Sequence, residues 1–285
     1  MTEEKKYVLA CLDGSLLSET VLDYATWFAT QLQLPLRLVH RIEHHSVPAH
    51  VDLTGAIGLG ASEDLLNELA QTERNRSKLL MQKGSLMLKA ARHKAQADGV
   101  EVVIDQEHGL ITEALIEQEP HTQVIVLGIR GQSHESEPES LGTQIESMIR
   151  SVHKPILVAT HGFSEPKNIM LAYNASEACK KAIDTLVAGE LIAPMPCHLV
   201  HSTDKPYDEG FFAQAKEALT ARGFEVTTAF VQGNPEESLA EYQTQHDISL
   251  MLMGAFSHSM LRGLLLGSFT VKMLQKSKRP LLLLR

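Results

Sequence analysis

Only three cysteines and one tryptophan occur among 285 residues, and aromatic side chains make up 5% of the chain. Cys11, Cys179 and Cys197 are odd in number, widely spaced and set among apolar neighbours, which suits reduced, buried thiols better than a disulfide frame or a zinc site. No chemical role is assigned to any of them. Long apolar runs are missing too: Ile248–Met253 is already broken by Ser249, far short of the roughly 18 residues a membrane span needs. The start, Met-Thr-Glu-Glu-Lys-Lys, has neither a basic leader region nor a small-residue cleavage site, so the expected location is the cytoplasm. Five basic residues never occur in succession and the net charge is -9, which argues against nucleic acid or an anionic membrane as a partner. With 18 Gly and 11 Pro the chain is neither collagenous nor of low complexity. Neither the G-x-x-x-x-G-K-[ST] phosphate loop nor the G-x-S-x-G nucleophile turn is present, and no paired acids are placed to hold magnesium.

What is there suffices for two cores. The hydrophobic fraction is 44%, and 285 residues is near the length at which one core divides into two domains. The charge is unevenly spread: residues 1–160 hold 14 Lys and Arg against 22 Asp and Glu, whereas residues 161–285 hold 12 against 13.

The chain repeats itself. Lys6–Ser15 matches Lys167–Ser176, and Leu38–His40 matches Leu199–His201, both at an offset of 161. After a stretch that is longer in the first half, Gly99–Val102 matches Gly223–Val226, and Gly109 and Glu113 match Gly233 and Glu237, at an offset of 124. Val124–Gly128 then matches Leu250–Gly254 at 126, and Lys154–Val158 matches Arg279–Leu283 at 125. Order is kept throughout, so the repeat is a tandem duplication and not a set of chance matches.

Within each repeat, short apolar runs bounded by turn residues alternate with segments of helical periodicity, a βαβ pattern. Strands are expected near 6–12, 35–40, 100–105, 123–128 and 155–159, apolar on both faces as in a parallel sheet covered by helices. Leu17, Val21, Leu22, Tyr24, Ala25 and Phe28 recur at helical spacing, with Ser15 or Ser18 as the expected cap. The predicted domains are 1–160 and 166–285, the first carrying an inserted loop at about 41–62 before a helix that runs to about Ala97. That insert would serve as a lid or a plain loop. Its Gly55, Gly58 and Gly60 read G-x-x-G-x-G and do not follow a strand directly, so they are no dinucleotide fingerprint. His44, His45, His50 and Asp52 are chemically able to bind a transition metal, but the adjacent histidines lack the i, i+4 spacing of a helical metal pair, and no metal is assigned.

After the fourth strand each repeat has a small-residue loop leading into a helix. In the second half Gly254, Ser257 and then Gly267-Ser268 nine residues later would let backbone N–H groups approach an anion above the helix carrying Val271 and Leu274. Ser268 would add a hydroxyl donor, and His258 and Arg262 would supply positive charge. A plain βα loop with a glycine turn explains the same residues.

Together these residues resemble the universal stress protein family over nearly all of both halves. The family pattern is a first strand ending in Asp, a second ending in an apolar His-containing run, and G-2x-G-9x-G-[S/T] after the fourth. Asp13, Leu38–His40 and Gly128, Gly131, Gly142 and Thr143 fill it in the first half, with a loop one residue longer. In the second half Asn174 stands for the acid and Ser257 for the second glycine, but the spacing to Gly267-Ser268 is intact.

The resemblance implies an α/β fold of two tandem, doubly wound, five-stranded parallel-sheet domains, adenine-nucleotide α-hydrolase-like, packed as a pseudo-two-fold internal dimer with the last strands paired. It also implies an adenine nucleotide at the carboxyl ends of the strands. Base and ribose would lie by Asp13 or Asn174 and by the backbone after His40 or His201, that is, at Arg41 or Ser202. Asp13 is also readable as a turn or capping acid, and His40 and His201 as packing residues. The leading expectation is a nucleotide-binding stress-response regulator taking ATP or a related adenine nucleotide, with or without Mg2+, chiefly in the second half and with at most slow hydrolysis. The alternative is an interaction scaffold or lipid-like ligand binder with degenerate sites. A homodimer of the whole chain stays open.

Overall fold

The computed structural model describes residues 6–43, 59–131, 144–205, 208, 210–254 and 268–285, with the backbone alone over 59–66. The first half runs β1 (Tyr7–Cys11), α1 (Ser18–Leu32), β2 (Leu36–Ile42), α2 (Leu59–Ala97), β3 (Val102–His108), α3 (Ile111–Gln118), β4 (Thr122–Gly128), α4 (Ile145–Ser151), β5 (Ile156–Ala159). The second runs β6 (Ile169–Ala172), α5 (Glu177–Ala188), β7 (Pro196–Ser202), α6 (Ala213–Ala221), β8 (Glu225–Val231), α7 (Pro235–Gln245), β9 (Leu250–Gly254), α8 (Ser268–Lys276), β10 (Leu281–Leu284).

All ten strands form one sheet in the order β3-β2-β1-β4-β5-β10-β9-β6-β7-β8. Within each half the pairs are parallel, and the halves join where β5 and β10 run antiparallel, Leu281 facing Val158, Leu282 facing Leu157 and Leu283 facing Ile156. The internal dimer implied by the resemblance is therefore present, closed by the two short apolar strands that each follow a proline. Left uncovered, either would be an open, hydrophobic edge.

Strand alternation explains the two-sided core. Val8, Ala10, Val124, Val126, Leu157, Leu252 and Leu282 face a cluster that includes α1, α2, α5 and α6 residues such as Phe28, Leu88, Ile183 and Leu219. Leu9, Ile125, Leu127, Ile156, Val158, Met251 and Leu281 face the other, with Leu115, Ile149, Leu239 and Leu274 from α3, α4, α7 and α8. Each core runs across both halves, so the seam at β5 and β10 is as buried as the middle of either half.

Two local details depart from the sequence reading. Neither serine caps α1: the residue before it, Leu17, makes no capping side-chain bond, while Ser18 Oγ accepts from Gly14 N (2.9 Å) and donates to Asp13 (3.1 Å). The turn chemistry of Asp13 has taken over the role a cap would fill. The helix after the insert begins at Leu59 and spans 39 residues, about 58 Å at 1.5 Å per residue. Leu88, Ala91 and Ala95 bury its last turns on the sheet, whereas from 67 to 80 it is largely exposed. His44, His45, His50, Asp52, Gly55 and Gly58 lie outside the described residues.

Candidate functional site

Both repeats end their first strand in the same turn. Gly14 adopts φ 80° and its counterpart Ala175 φ 57°, a left-handed conformation that glycine enters freely and alanine at some cost. The turn delivers the next amide back onto the preceding side chain: Ser15 N donates to Asp13 Oδ1 (3.0 Å), and Ser176 N to Asn174 Oδ1 (3.1 Å). Asn174 also accepts from Cys179 Sγ at 3.1 Å. An amide thus replaces the acid without disturbing the turn, because the bond needs one acceptor oxygen and no charge.

The histidines repeat as faithfully. His40 Nδ1 donates to Leu12 O (2.7 Å) and His201 Nδ1 to Tyr173 O (2.8 Å), tying the second strand of each half to the end of the first. A carbonyl can only accept, so Nδ1 carries the proton. Burial pushes the His40 pKa below its ordinary value, outweighing the bond to Leu12, and keeps the ring neutral near pH 7. Burial, aided by Asp13, likewise raises the pKa of Cys11 and denies that thiol nucleophilic character.

These groups open, in the first half, onto a cavity of about 610 Å³ above the carboxyl ends of β1, β2 and β4. Asp13, Gly14, Arg41, Gly128 and Gly131 all line it. Gly131 leaves room for the acid: a Cβ there would lie 2.8 Å from Asp13 Oδ2. Arg41 is committed elsewhere, its guanidinium forming a bidentate pair with Asp105 (2.7 and 3.1 Å). Across the mouth, Gln144 Nε2 donates to both oxygens of Glu43 at 2.7 and 2.8 Å. Helix α2 closes one side with Arg76, Leu80, Lys83 and Met87. None of these four was singled out in the sequence, which showed only a helix running to about Ala97. The helix reaches the strand ends because Gly84 rests on His40, where a Cβ would meet the ring at 2.5 Å.

The second half builds its strand ends differently. His201 stacks on Phe211 (4.5 Å between centroids, 28°), and Phe230, Phe212 and Tyr173 complete an aromatic cluster where the first half has Gln106 and Gly84. Ser202 Oγ bonds Ser238 Oγ at 3.1 Å and Gly233 O at 3.4 Å. Gly254 ends β9 against α5, where a Cβ would lie 2.7 Å from the Ala178 backbone, so this glycine has a packing duty whatever else it does. Ser268 opens α8 and is exposed. Gly142, Thr143, Ser257, His258, Arg262 and Gly267 lie outside the described residues. Among the described residues no group of three or more His, Cys, Asp or Glu is arranged to hold a metal ion, and no helix is long and apolar enough to cross a membrane.

Comparison with known proteins places the chain by family and fold. Residues 5–160 and 165–285 each match the model of the universal stress protein family. A universal stress protein of Synechocystis sp. is 33% identical over 98% of this chain and all of its own length. Among solved structures, a universal stress protein from Archaeoglobus fulgidus superimposes with a TM-score of 0.70 at 16% identity, covering 98% of this chain and 96% of its own. A functionally unknown protein from Pseudomonas aeruginosa does so with a TM-score of 0.58 at 17% identity, over 98% and 92%.

Proposed function

The chain belongs to the universal stress protein family, and on that premise we propose that it is a stress-response regulatory protein that binds ATP or a related adenine nucleotide without efficient turnover. The observation that carries this reading is the cavity of about 610 Å³ at the carboxyl ends of β1, β2 and β4, the place where open α/β sheets take ligands. Asp13, held by Ser15 and Ser18 at its rim, would meet ribose hydroxyls or the base edge, and the backbone after His40 would meet the base. Gly128 and Gly131 leave a path for phosphates. His40, a neutral imidazole in the lining, is committed through Nδ1 to Leu12 O and lies under Gly84, and catalysis is not part of the proposal.

The two halves are proposed to be unequal, with the triphosphate chiefly in the second. Glu135, Glu137 and Glu139 lie in the first-half loop between Gly131 and Gly142, whereas residues 255–267 contain His258 and Arg262 and no acid. Two like charges about 4 Å apart cost roughly 4 kcal/mol at an effective dielectric near 20. A divalent cation would relieve that repulsion, so the first half should gain most from added Mg2+. In titration calorimetry with ATP, Gly267→Val is expected to remove most of the binding and Gly142→Val to change it little. Equal losses, or the reverse order, would refute the inequality.

A second reading is favoured by the aromatic cluster of Tyr173, Phe211, Phe212 and Phe230 beside His201. It suits an apolar, lipid-like ligand or a protein contact at the second half. Mass spectrometry of the small molecules released from purified protein separates the two: an adenine nucleotide supports the first reading, a lipid the second.

A further inference from the structure

The inserted helix does more than wall off the first-half cavity. Arg76, Leu80, Lys83, Gly84 and Met87 fall at i, i+4, i+7, i+8 and i+11, one stripe of α2, and all five line the cavity. Gly84 fixes the stripe in place, since it lets α2 lie directly on His40 and beside Gln106, whose Nε2 donates to Met81 O at 2.9 Å. From that anchor the helix runs toward the carboxyl end of β3, where Ser77 Oγ meets His108 Nε2 at 3.2 Å, so Arg76 lies about 10 Å from Lys83 along the axis.

The charges around the cavity are spoken for in different degrees. Arg41 is paired with Asp105, Glu43 holds Gln144, and Asp13 is engaged by Ser15 and Ser18. Arg76 and Lys83 have no ion-pair or hydrogen-bond partner among the described residues, and both are exposed. Among the described lining residues, with Arg41 spent on Asp105, the cations are Arg76, Lys83 and Arg130 and the acids Asp13 and Glu43.

We propose that Arg76 and Lys83 of α2 form an anion subsite that receives the phosphoryl groups of an adenine nucleotide bound in the first-half cavity. This rests on the functional reading above and adds a second phosphate route, along the helix instead of the loop after β4. Leu80 and Met87, between and below the two cations, supply the apolar surface for the rest of the ligand. An Arg offers a planar fork to a phosphate and a Lys a mobile point charge, so the pair accommodates phosphoryl chains of different length.

The test uses the full chain carrying Gly267→Val, which leaves the first half to be measured, and compares it with the same chain also carrying Arg76→Gln and Lys83→Gln. Calorimetric titrations are run with ATP, AMP, adenosine and inorganic phosphate. Loss of two charge-assisted hydrogen bonds should weaken ATP by about 10- to 100-fold, weaken AMP less, leave adenosine unchanged and flatten the salt dependence. Arg76→Lys alone should restore part of the loss. Unaltered ATP affinity, or equal loss of ATP and adenosine, overturns the subsite. Phosphate binding as tightly as AMP would mean an anion site with no preference for nucleotides, and overturns it as stated. If neither adenosine nor any nucleotide binds the chain with or without Gly267→Val, the functional reading fails and the subsite with it.

Discussion

Leu282→Ala is expected to lower stability by about 2–5 kcal/mol, the usual cost of truncating a fully buried leucine, and to melt both halves together. Leu282 is completely buried and sits in the middle of β10, opposite Leu157 of β5. Its side chain belongs to a core that also holds Val8 and Val126 from the first half and Leu171 and Leu252 from the second. A cavity there removes contacts from both. Two probes follow the halves in a urea titration. Trp27, the one tryptophan, is buried beside Phe28 in the first half and reports by fluorescence. Cys197, wholly buried in the second half with its pKa pushed up to about 12 by that burial, stays unreactive at pH 8 until β7 opens. Labelling located by mass spectrometry reads it apart from the other thiols. Both midpoints should shift by the same amount. A shift in Cys197 labelling with Trp27 fluorescence unmoved would show that the halves unfold independently and that the seam transmits nothing.

Gly254→Ala should destabilise the protein by about 1–3 kcal/mol, the cost of forcing an extra methyl into a packed interior, while Gly128→Ala, at the matching place in the first half, should cost much less. The difference lies in what the new Cβ meets. At Gly254 it would stand 2.7 Å from the carbonyl carbon and oxygen of Ala178, which are backbone and cannot rotate away. At Gly128 the nearest atoms, Arg130 O and Leu17 Cβ, are 3.3 Å off, a distance that a few tenths of an ångström of movement relieves. Thermal melts of the two variants beside the parent decide it. Equal midpoints would mean that α5 is free to slide along the sheet.

The same comparison marks where the sequence was legible. Periodicity and repeat offsets were enough for the ten strands, since each half shows the same apolar runs in the same order. The two proline-led apolar strands showed that an edge needed covering, and the pairing of β5 with β10 was what the family resemblance implied. The duty of Gly254 against Ala178 was hidden, because a glycine in a phosphate-loop pattern and a glycine under a crossing helix look alike in one dimension. Arg76 and Lys83 were hidden for a related reason: which stripe of α2 turns inward depends on Gly84 meeting His40, a contact between residues 44 positions apart. The aromatic cluster of the second half escaped notice because Tyr173, Phe211 and Phe230 come together only when β6, β7 and β8 align.

The antiparallel seam also bears on how the two halves can differ. When two identical chains meet across a two-fold axis, every substitution appears twice, and the two ligand positions stay equivalent. Here β5 and β10 are different stretches of one chain, Ile156–Ala159 and Leu281–Leu284, so a change on one side leaves the other untouched. That freedom has been used: Asp13 faces Asn174 across the pseudo-symmetry, Gly14 faces Ala175, and the glycine of α2 that rests on His40 is answered by a phenylalanine ring on His201. Five strand spacings of about 4.8 Å, or about 24 Å, separate β1 from β6. A covalently joined pair of this kind keeps one copy of each specialised position in every molecule, at fixed separation and in fixed ratio, which an assembly of separate subunits would have to achieve by sorting unlike partners.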